Sequence, residues 1–455
     1  MKYKNILAFP LSTIPLYFEF LKELHARGYY ETVRFIVLDE AKYNEYQSNS
    51  SFPEYFQFEY INPNEIKGIA KLDDVPRLEE QYGIPTLNLF SLLGHRVKIK
   101  SQKPEDNLFF WENYLQKNKC DMVIMPFAAM IVTLSLVQVA KHRNIQVIYA
   151  HSIRAFGRSA LTDANGKDAI YDKYQDLYDK FQIYLESGID KEHLKFQEDR
   201  VREANDKKAR PVWFADPPRR INKKRLISFV KVMFDPAVLK KKLLSEFNYN
   251  YLKFGVSELP NSKFFLFPLH YEPEVTLDLL APFFRDQLTL VKYIAQSLPA
   301  NTKLVVKEHP GMKGRRDPKF YEAIEAIENV KLLDLNFDSY EVLDNPNLSG
   351  VVVINSTLGF EAILAGKPTI VFGNTFYAVP EIATCLTDLT QLPYLLLDIK
   401  KYVPNKENVL KFLQALDDVT FEGFIYPPTE MVTWVLEKKN INAISDEFEK
   451  RFPSL

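Results

Sequence analysis

Cysteine is almost missing from this chain: Cys120 and Cys385 are the two in 455 residues, far apart and with no Cys-x-x-Cys spacing. That excludes a disulfide framework and a cysteine-built metal site, and it fits a reducing compartment. An excess of one charge is missing as well. With a formal net charge of −1, no global field draws in a polyanion, and nucleic acid is not expected as a partner. No apolar run reaches the length of a membrane span, and the stretch from Asn5 to Phe9 is too short for a signal peptide. Cytoplasm is the expected location. No two aspartates stand two residues apart, so the Asp-x-Asp element that holds Mg²⁺ or Mn²⁺ on a diphosphate is absent, and no metal or other cofactor is expected. Gly-x-Gly-x-x-Gly, His-Glu-x-x-His and Gly-x-Ser-x-Gly are also absent. The segment from Gly359 to Lys367 has neither the Walker spacing nor its hydroxyl, because Pro368 follows the lysine.

What is present is an ordinary globular composition, 46% hydrophobic and 26% charged, on a length that allows two or three domains. The first half alternates strand-like runs (Asn5 to Phe9, Val33 to Leu38, Met122 to Met125, Gln146 to Tyr149) with amphipathic stretches at Tyr17 to Arg27 and Ile131 to Arg143. The second half repeats the rhythm, with strands expected at Phe264 to Phe267, Lys303 to Val306, Val330 to Leu333, Val351 to Ile354 and Thr369 to Phe372. Between them, residues 168–260 are rich in Lys, Asp, Glu and Tyr and lack strand alternation, which predicts helices and a linker. The fold class is therefore α/β and GT-B-like: two Rossmann-type, doubly wound domains facing across a cleft, with ligands at the carboxyl ends of the strands. The expected boundaries are a first domain at 1–210, a charged helical linker at 211–260, a second domain at 261–425, and C-terminal helices at 426–455 that pack back on the first domain.

Three strand ends in the second half carry chemistry. Val351 to Ile354 runs into Asn355-Ser356-Thr357-Leu358-Gly359-Phe360-Glu361, a buried strand, a hydroxyl-rich turn and the start of a helix. A helix N-terminus favours phosphate, and Glu361 is placed to accept from sugar hydroxyls. Leu304-Val305-Val306 ends in Lys307-Glu308-His309-Pro310-Gly311, and Phe267-Pro268 leads into His270-Tyr271-Glu272-Pro273-Glu274. Ionisable groups gathered at one sheet edge mark a functional site, since each costs desolvation energy without a partner; the alternative is a rim network in which they neutralise one another.

This series of motifs resembles the capsule polysaccharide biosynthesis family, which includes the β-Kdo transferases, over roughly residues 264–381. More distantly, the His-Pro pair and the Ser/Thr turn are similar to those of bacterial sialyltransferases that use CMP-activated sugars. The resemblance implies that His309, with the Ser356 and Thr357 hydroxyls, holds the nucleotide phosphate and the sugar carboxylate, and that Glu361 holds the ribose. Pro310, Asn355 and Gly359 belong to the same donor-binding motifs, as does Lys307. Where the family's β-Kdo transferases carry a reactive Asp in a Gln-x-x-x-Asp segment, this chain has His270 to Glu274.

Glycosyl transfer develops positive charge on the sugar ring and negative charge on the leaving phosphate, so it needs donors at the phosphate and a carboxylate near the anomeric carbon. Glu274, beside His270, is the first choice for nucleophile or base. Asp163 is the runner-up, in a turn-rich segment after Arg154 and Arg158, where a plain exposed turn is the competing reading. From Arg219 to Lys242 nine basic residues face one acid, Asp235. That run suits either an amphipathic segment on an anionic membrane surface or a solvated interdomain helix. The leading reading is a glycosyltransferase that moves an acidic, Kdo-like sugar from a CMP-activated nucleotide sugar to a glycan or glycolipid acceptor. A UDP-sugar epimerase on the same architecture and a non-catalytic capsule assembly or export factor are the alternatives.

Overall fold

The computed structural model describes residues 2–11, 14–82, 103–128, 130–153, 155–164, 174–206, 255, 258–272, 274–312, 315–335, 337–425 and 433–452. The basic run at 219–242 and Arg154 lie outside these described residues, as does most of the linker expected at 211–260. The chain divides into two compact units, residues 1–180 with 415–455, and residues 181–414. Among the described residues no helix is long and apolar enough to cross a membrane.

The first unit runs β1 (Tyr3–Ala8), α1 (Ile14–Ala26), β2 (Tyr30–Val37), α2 (Glu40–Gln47), β3 (Phe56–Tyr60), α3 (Val75–Tyr82), α4 (Pro104–Lys117), β4 (Met122–Met125), α5 (Ile131–His142), β5 (Gln146–Ser152) and β6 (Arg158–Asp163). Helix α6 (Gln175–Ser187) crosses the boundary. In the second unit follow α7 (Lys191–Asn205), β7 (Phe264–Pro268), α8 (Val275–Leu280), α9 (Gln287–Gln296), β8 (Lys303–Lys307), α10 (Pro318–Glu325), β9 (Val330–Leu333), α11 (Ser339–Leu343), β10 (Leu348–Val353), α12 (Thr357–Leu364), β11 (Thr369–Val371), β12 (Thr384–Cys385) and α13 (Leu392–Leu397). Helix α14 (Lys406–Val419) leads back to the first unit, which β13 (Phe421–Glu422) and α15 (Lys438–Arg451) complete.

The first sheet has the order β13-β6-β5-β4-β1-β2-β3. Strands β1 to β5 are parallel, and β6 and β13 close one edge antiparallel. Strand β3, an alternating Phe-Gln-Phe-Glu-Tyr, adds to the strands read from the sequence. Its rings help to surround Phe18 of α1, which meets Phe35, Tyr46, Phe52, Phe56 and Phe58 at centroid distances of 4.7–5.8 Å. Helix α15 lays Ile441, Ile444 and Phe448 into the same core.

The segment from Arg158 to Asp163, read as a polar turn, is instead strand β6. A tight turn joins it to β5: Phe156 and Gly157 both have positive φ, 52° and 65°, and the Arg158 amide donates to the Ala155 carbonyl at 3.0 Å. Two successive left-handed residues suit the twist of a hairpin, and the glycine takes that conformation without steric cost.

The second sheet is wholly parallel, in the order β12-β11-β10-β7-β8-β9. Val351, Val352 and Val353 of β10 are each 0% exposed, as a strand covered on both faces requires. From β7 the chain moves outward through β8 and β9, then returns to β10 on the other side of β7 and moves outward again. That reversal puts a crevice at the carboxyl ends of β7 and β10. Helix α7 belongs to this unit, although the sequence placed it in the first domain: Gln197 donates to Gln414 at 3.1 Å and Asn205 to the Leu364 carbonyl at 2.9 Å.

Candidate active site

The site forms on the loops that follow β7, β8 and β10. After β7 the chain places His270, 5% exposed, at the switch point. Its ring bridges two loops: Nε2 accepts from the Asn355 amide at 3.5 Å, and Nδ1 lies 3.3 Å from Glu274 Oε2. A nitrogen that accepts from an amide carries no proton, so the proton belongs on Nδ1, where it is donated to Glu274. Glu274 is half-buried and occupies the N-cap position of α8.

After β10, Ser356 caps α12: its hydroxyl accepts from the Leu358 amide at 3.3 Å, and its carbonyl accepts from the Tyr377 hydroxyl. Thr357 opens the helix, and Glu361 sits half-buried in its second turn. Gly359 has a different job from the donor contact expected of it. A Cβ there would stand 2.5 Å from the Tyr377 hydroxyl and 2.8 Å from Val353 Cγ2, so the glycine lets α12 close against β10 and Tyr377, inside the core.

After β8, the Lys-Glu-His cluster separates into three environments. Lys307 is buried and donates to the Leu335 carbonyl at 3.4 Å. Burial lowers its pKa, and the carboxylates of Asp338, Asp334 and Glu308 offset part of that. The ammonium thus turns toward the segment after β9 rather than toward the α12 turn, which corrects its place among the phosphate contacts. Glu308 is committed inside the protein. It accepts from Arg316 at 2.8 Å, from the Tyr321 hydroxyl at 2.7 Å and from the His309 amide at 2.6 Å. His309 and Pro310 remain exposed, and His309 Nδ1 accepts from the Gly311 amide at 3.0 Å.

Arg316 is the residue that sequence reasoning missed. It is 6% exposed; besides Glu308 it donates to the His270 carbonyl at 2.7 Å, pairs with Glu272 at 3.3 Å and lies 4.5 Å over the Phe320 ring. Burial pulls its pKa down, and Glu308 and Glu272 more than reverse this, holding the guanidinium above its ordinary range. Gln287 completes the brace, receiving the His270 amide at 2.6 Å and donating to Glu272. Glu272 and Glu308 are therefore members of the rim network weighed as an alternative, while Glu274 faces His270. The pair Arg315-Arg316 gives no pattern from which to tell the buried arginine from the exposed one.

Asp163 is not part of this constellation. It pairs with Ile148 near the start of β5 and accepts from Gln146 at 3.4 Å, at the amino-terminal edge of the first sheet, opposite the edge where such sheets bind ligands. Arg158 is spent on structure, donating to the Thr420 and Asp417 carbonyls at 2.9 Å each. Among the described residues no three His, Cys, Asp or Glu side chains group as metal ligands.

The segment that contains all three loops can be compared with known proteins. Residues 256–388 match the family model described as capsule polysaccharide biosynthesis protein. The resemblance read from the motifs holds over that segment. Protein FixF of Sinorhizobium fredii is 27% identical over 182 residues, 38% of this chain and 42% of that protein. The match thus spans less than half of FixF. Among solved structures, the β-Kdo 2,7 transferase of Thermosulfurimonas dismutans KpsC aligns with a TM-score of 0.39 at 14% identity, covering 68% of this chain and 81% of that one. The UDP-GlcNAc 2-epimerase of Neisseria meningitidis aligns at 0.28 and 13%, covering 91% and 99%.

Proposed function

We propose that this chain is a metal-independent glycosyltransferase that takes an acidic sugar, Kdo or a relative, from a CMP-activated donor and adds it to a surface polysaccharide or glycolipid. The observation that carries the reading is the His270–Glu274 pair at a sheet switch point, held against the entry to α12 by the Asn355 amide. The match to the capsule family over the same loops supports it. In this reading the N-terminus of α12, with Thr357 and His309, meets the charge that grows on the leaving phosphate, in place of a metal. Glu361 takes the ribose. A Glu274 oxygen bonds to the anomeric carbon as the bond to phosphate breaks, and the electron pair leaves with CMP. His270 holds the carboxylate in line through Nδ1–H. The acceptor oxygen then bonds to that carbon from the opposite face as the bond to Glu274 breaks; Glu274 leaves as the carboxylate, the hydroxyl proton passes to solvent, and the donor's configuration is kept. A lipid-linked acceptor brings the enzyme from the cytoplasm to the inner membrane surface, and the basic run at 219–242 is the segment suited to meet it.

The test is turnover of a panel of CMP- and UDP-sugars, with and without acceptor and with excess EDTA, followed by intact-mass analysis of enzyme given donor alone. The expected result is use of an acidic CMP-sugar in EDTA, an adduct on Glu274, and loss of turnover in Glu274→Gln with CMP affinity nearly unchanged. An inverted product or an active Glu274→Gln enzyme refutes the nucleophile. Metal-restored activity refutes the leaving-group assignment.

A further inference from the structure

Beside the His270–Glu274 pair, on the loops after β7 and β8, three side chains form a cluster that the proposed chemistry has not fully used. Arg315 is exposed, donates to the Tyr271 hydroxyl at 2.5 Å and lies 5.7 Å from the Tyr271 ring centroid. His309 meets the same ring edge-on at 5.8 Å. The packing is close: a Cβ on Gly311 would come within 3.1 Å of the His309 ring and 3.2 Å of the Tyr271 ring. His309 accepts at Nδ1, so its proton is on Nε2. Among the described residues flanking it, Arg316 and Lys307 are buried and engaged, Arg316 with Glu308 and Glu272 and Lys307 with the Leu335 carbonyl. Arg315 instead rests on a neutral hydroxyl, and among the described residues no carboxylate pairs with it.

We propose that Arg315, braced by Tyr271 beside His309, is the subsite that takes the carboxylate of an acidic sugar and so selects the donor; the inference rests on the glycosyl-transfer reading of the same site. A guanidinium presents five N–H groups in a planar fork that matches a carboxylate with two parallel hydrogen bonds, and the Tyr271 contact fixes that fork before ligand arrives. The geometry fits the size of the ligand. Strands in a sheet lie about 4.8 Å apart, so the β8 and β10 loops, with β7 between them, stand roughly 10 Å apart. A donor whose phosphate is held from both sides, by the α12 N-terminus and by His309, sets its sugar over Glu274 on the β7 loop between them and turns a substituent toward Arg315.

Calorimetry on the full chain reads this without turnover, as the ratio of the Kd for CMP to the Kd for CMP-Kdo. In the unchanged protein the acidic sugar should improve affinity about tenfold or more, the scale of a charge-assisted bidentate contact. Arg315→Gln should bring the ratio below about threefold with the CMP Kd held within about twofold, and Arg315→Lys should recover part of it. Tyr271→Phe, which keeps the ring and removes the brace, should fall between. A ratio unmoved in Arg315→Gln overturns the proposal. So does an equal loss on CMP alone, which assigns Arg315 to the phosphate. A chain that binds CMP-Kdo in this pattern but turns over no nucleotide sugar defeats the transfer reading and leaves the subsite standing.

Discussion

Replacing Arg316 by methionine should loosen the loops of the second unit by about 3 kcal/mol, toward the lower end of the range for breaking a buried ion pair. The substitution removes the contacts to Glu308 at 2.8 and 3.4 Å, the donation to the His270 carbonyl at 2.7 Å and the Glu272 pair at 3.3 Å. It leaves Glu308 buried as an uncompensated carboxylate. The cost stays near the lower end because Glu308 keeps the Tyr321 hydroxyl and the His309 amide as donors, and methionine refills the space over Phe320. Hydrogen exchange read by mass spectrometry on peptides spanning 264–274 and 303–312 measures it locally, with the β2 peptide as a control in the other unit. A loss of about 3 kcal/mol is roughly a hundredfold faster exchange where opening limits the rate. Arg316→Lys, which keeps the charge but not the fork, should lose about half as much. If exchange in these peptides rises less than about threefold in Arg316→Met, the guanidinium is not what joins the β7 and β8 loops, and the account of how Glu274 is positioned fails with it.

Gly359→Ala should cost about 1–2 kcal/mol in denaturant unfolding of the second unit, an overpacking penalty partly offset by the better helix propensity of alanine. Tyr377→Phe should return part of it, since the Tyr377 hydroxyl is the nearest obstacle at 2.5 Å; a neutral Gly359→Ala refutes the packing role. Cys120 should be alkylated very slowly. Burial pushes its thiol up to about 12 against about 8.5 for an ordinary thiol, which cuts the thiolate fraction at pH 8 by about three powers of ten. The rate should climb about tenfold per pH unit through that range, and a fast reaction at pH 8 in folded protein would refute the assignment.

The sequence by itself determined strands β7 to β11 and the polar residues that follow β7, β8 and β10. Val351-Val352-Val353 and Phe264-Phe265-Leu266-Phe267 are apolar on both faces, which only a covered parallel strand accommodates, and a hydroxyl before Leu358 announces the cap of α12. These are local signals, carried by residue type and spacing. Which polar groups meet was decided by the tertiary structure, because pairing depends on strand order rather than on sequence distance. His270 reaches Asn355, 85 residues away, because β7 and β10 are neighbours in the sheet. Arg315 and Arg316 are adjacent in sequence, yet one is exposed and the other buried between two carboxylates. Lys307, grouped with His309 by proximity, points elsewhere because it ends a strand flanked by β9. Asp163 reads as a polar turn until β6 pairs with β5 and sets it opposite Ile148, and β13 then covers Arg158 and Ser159 of β6 from more than 250 residues away.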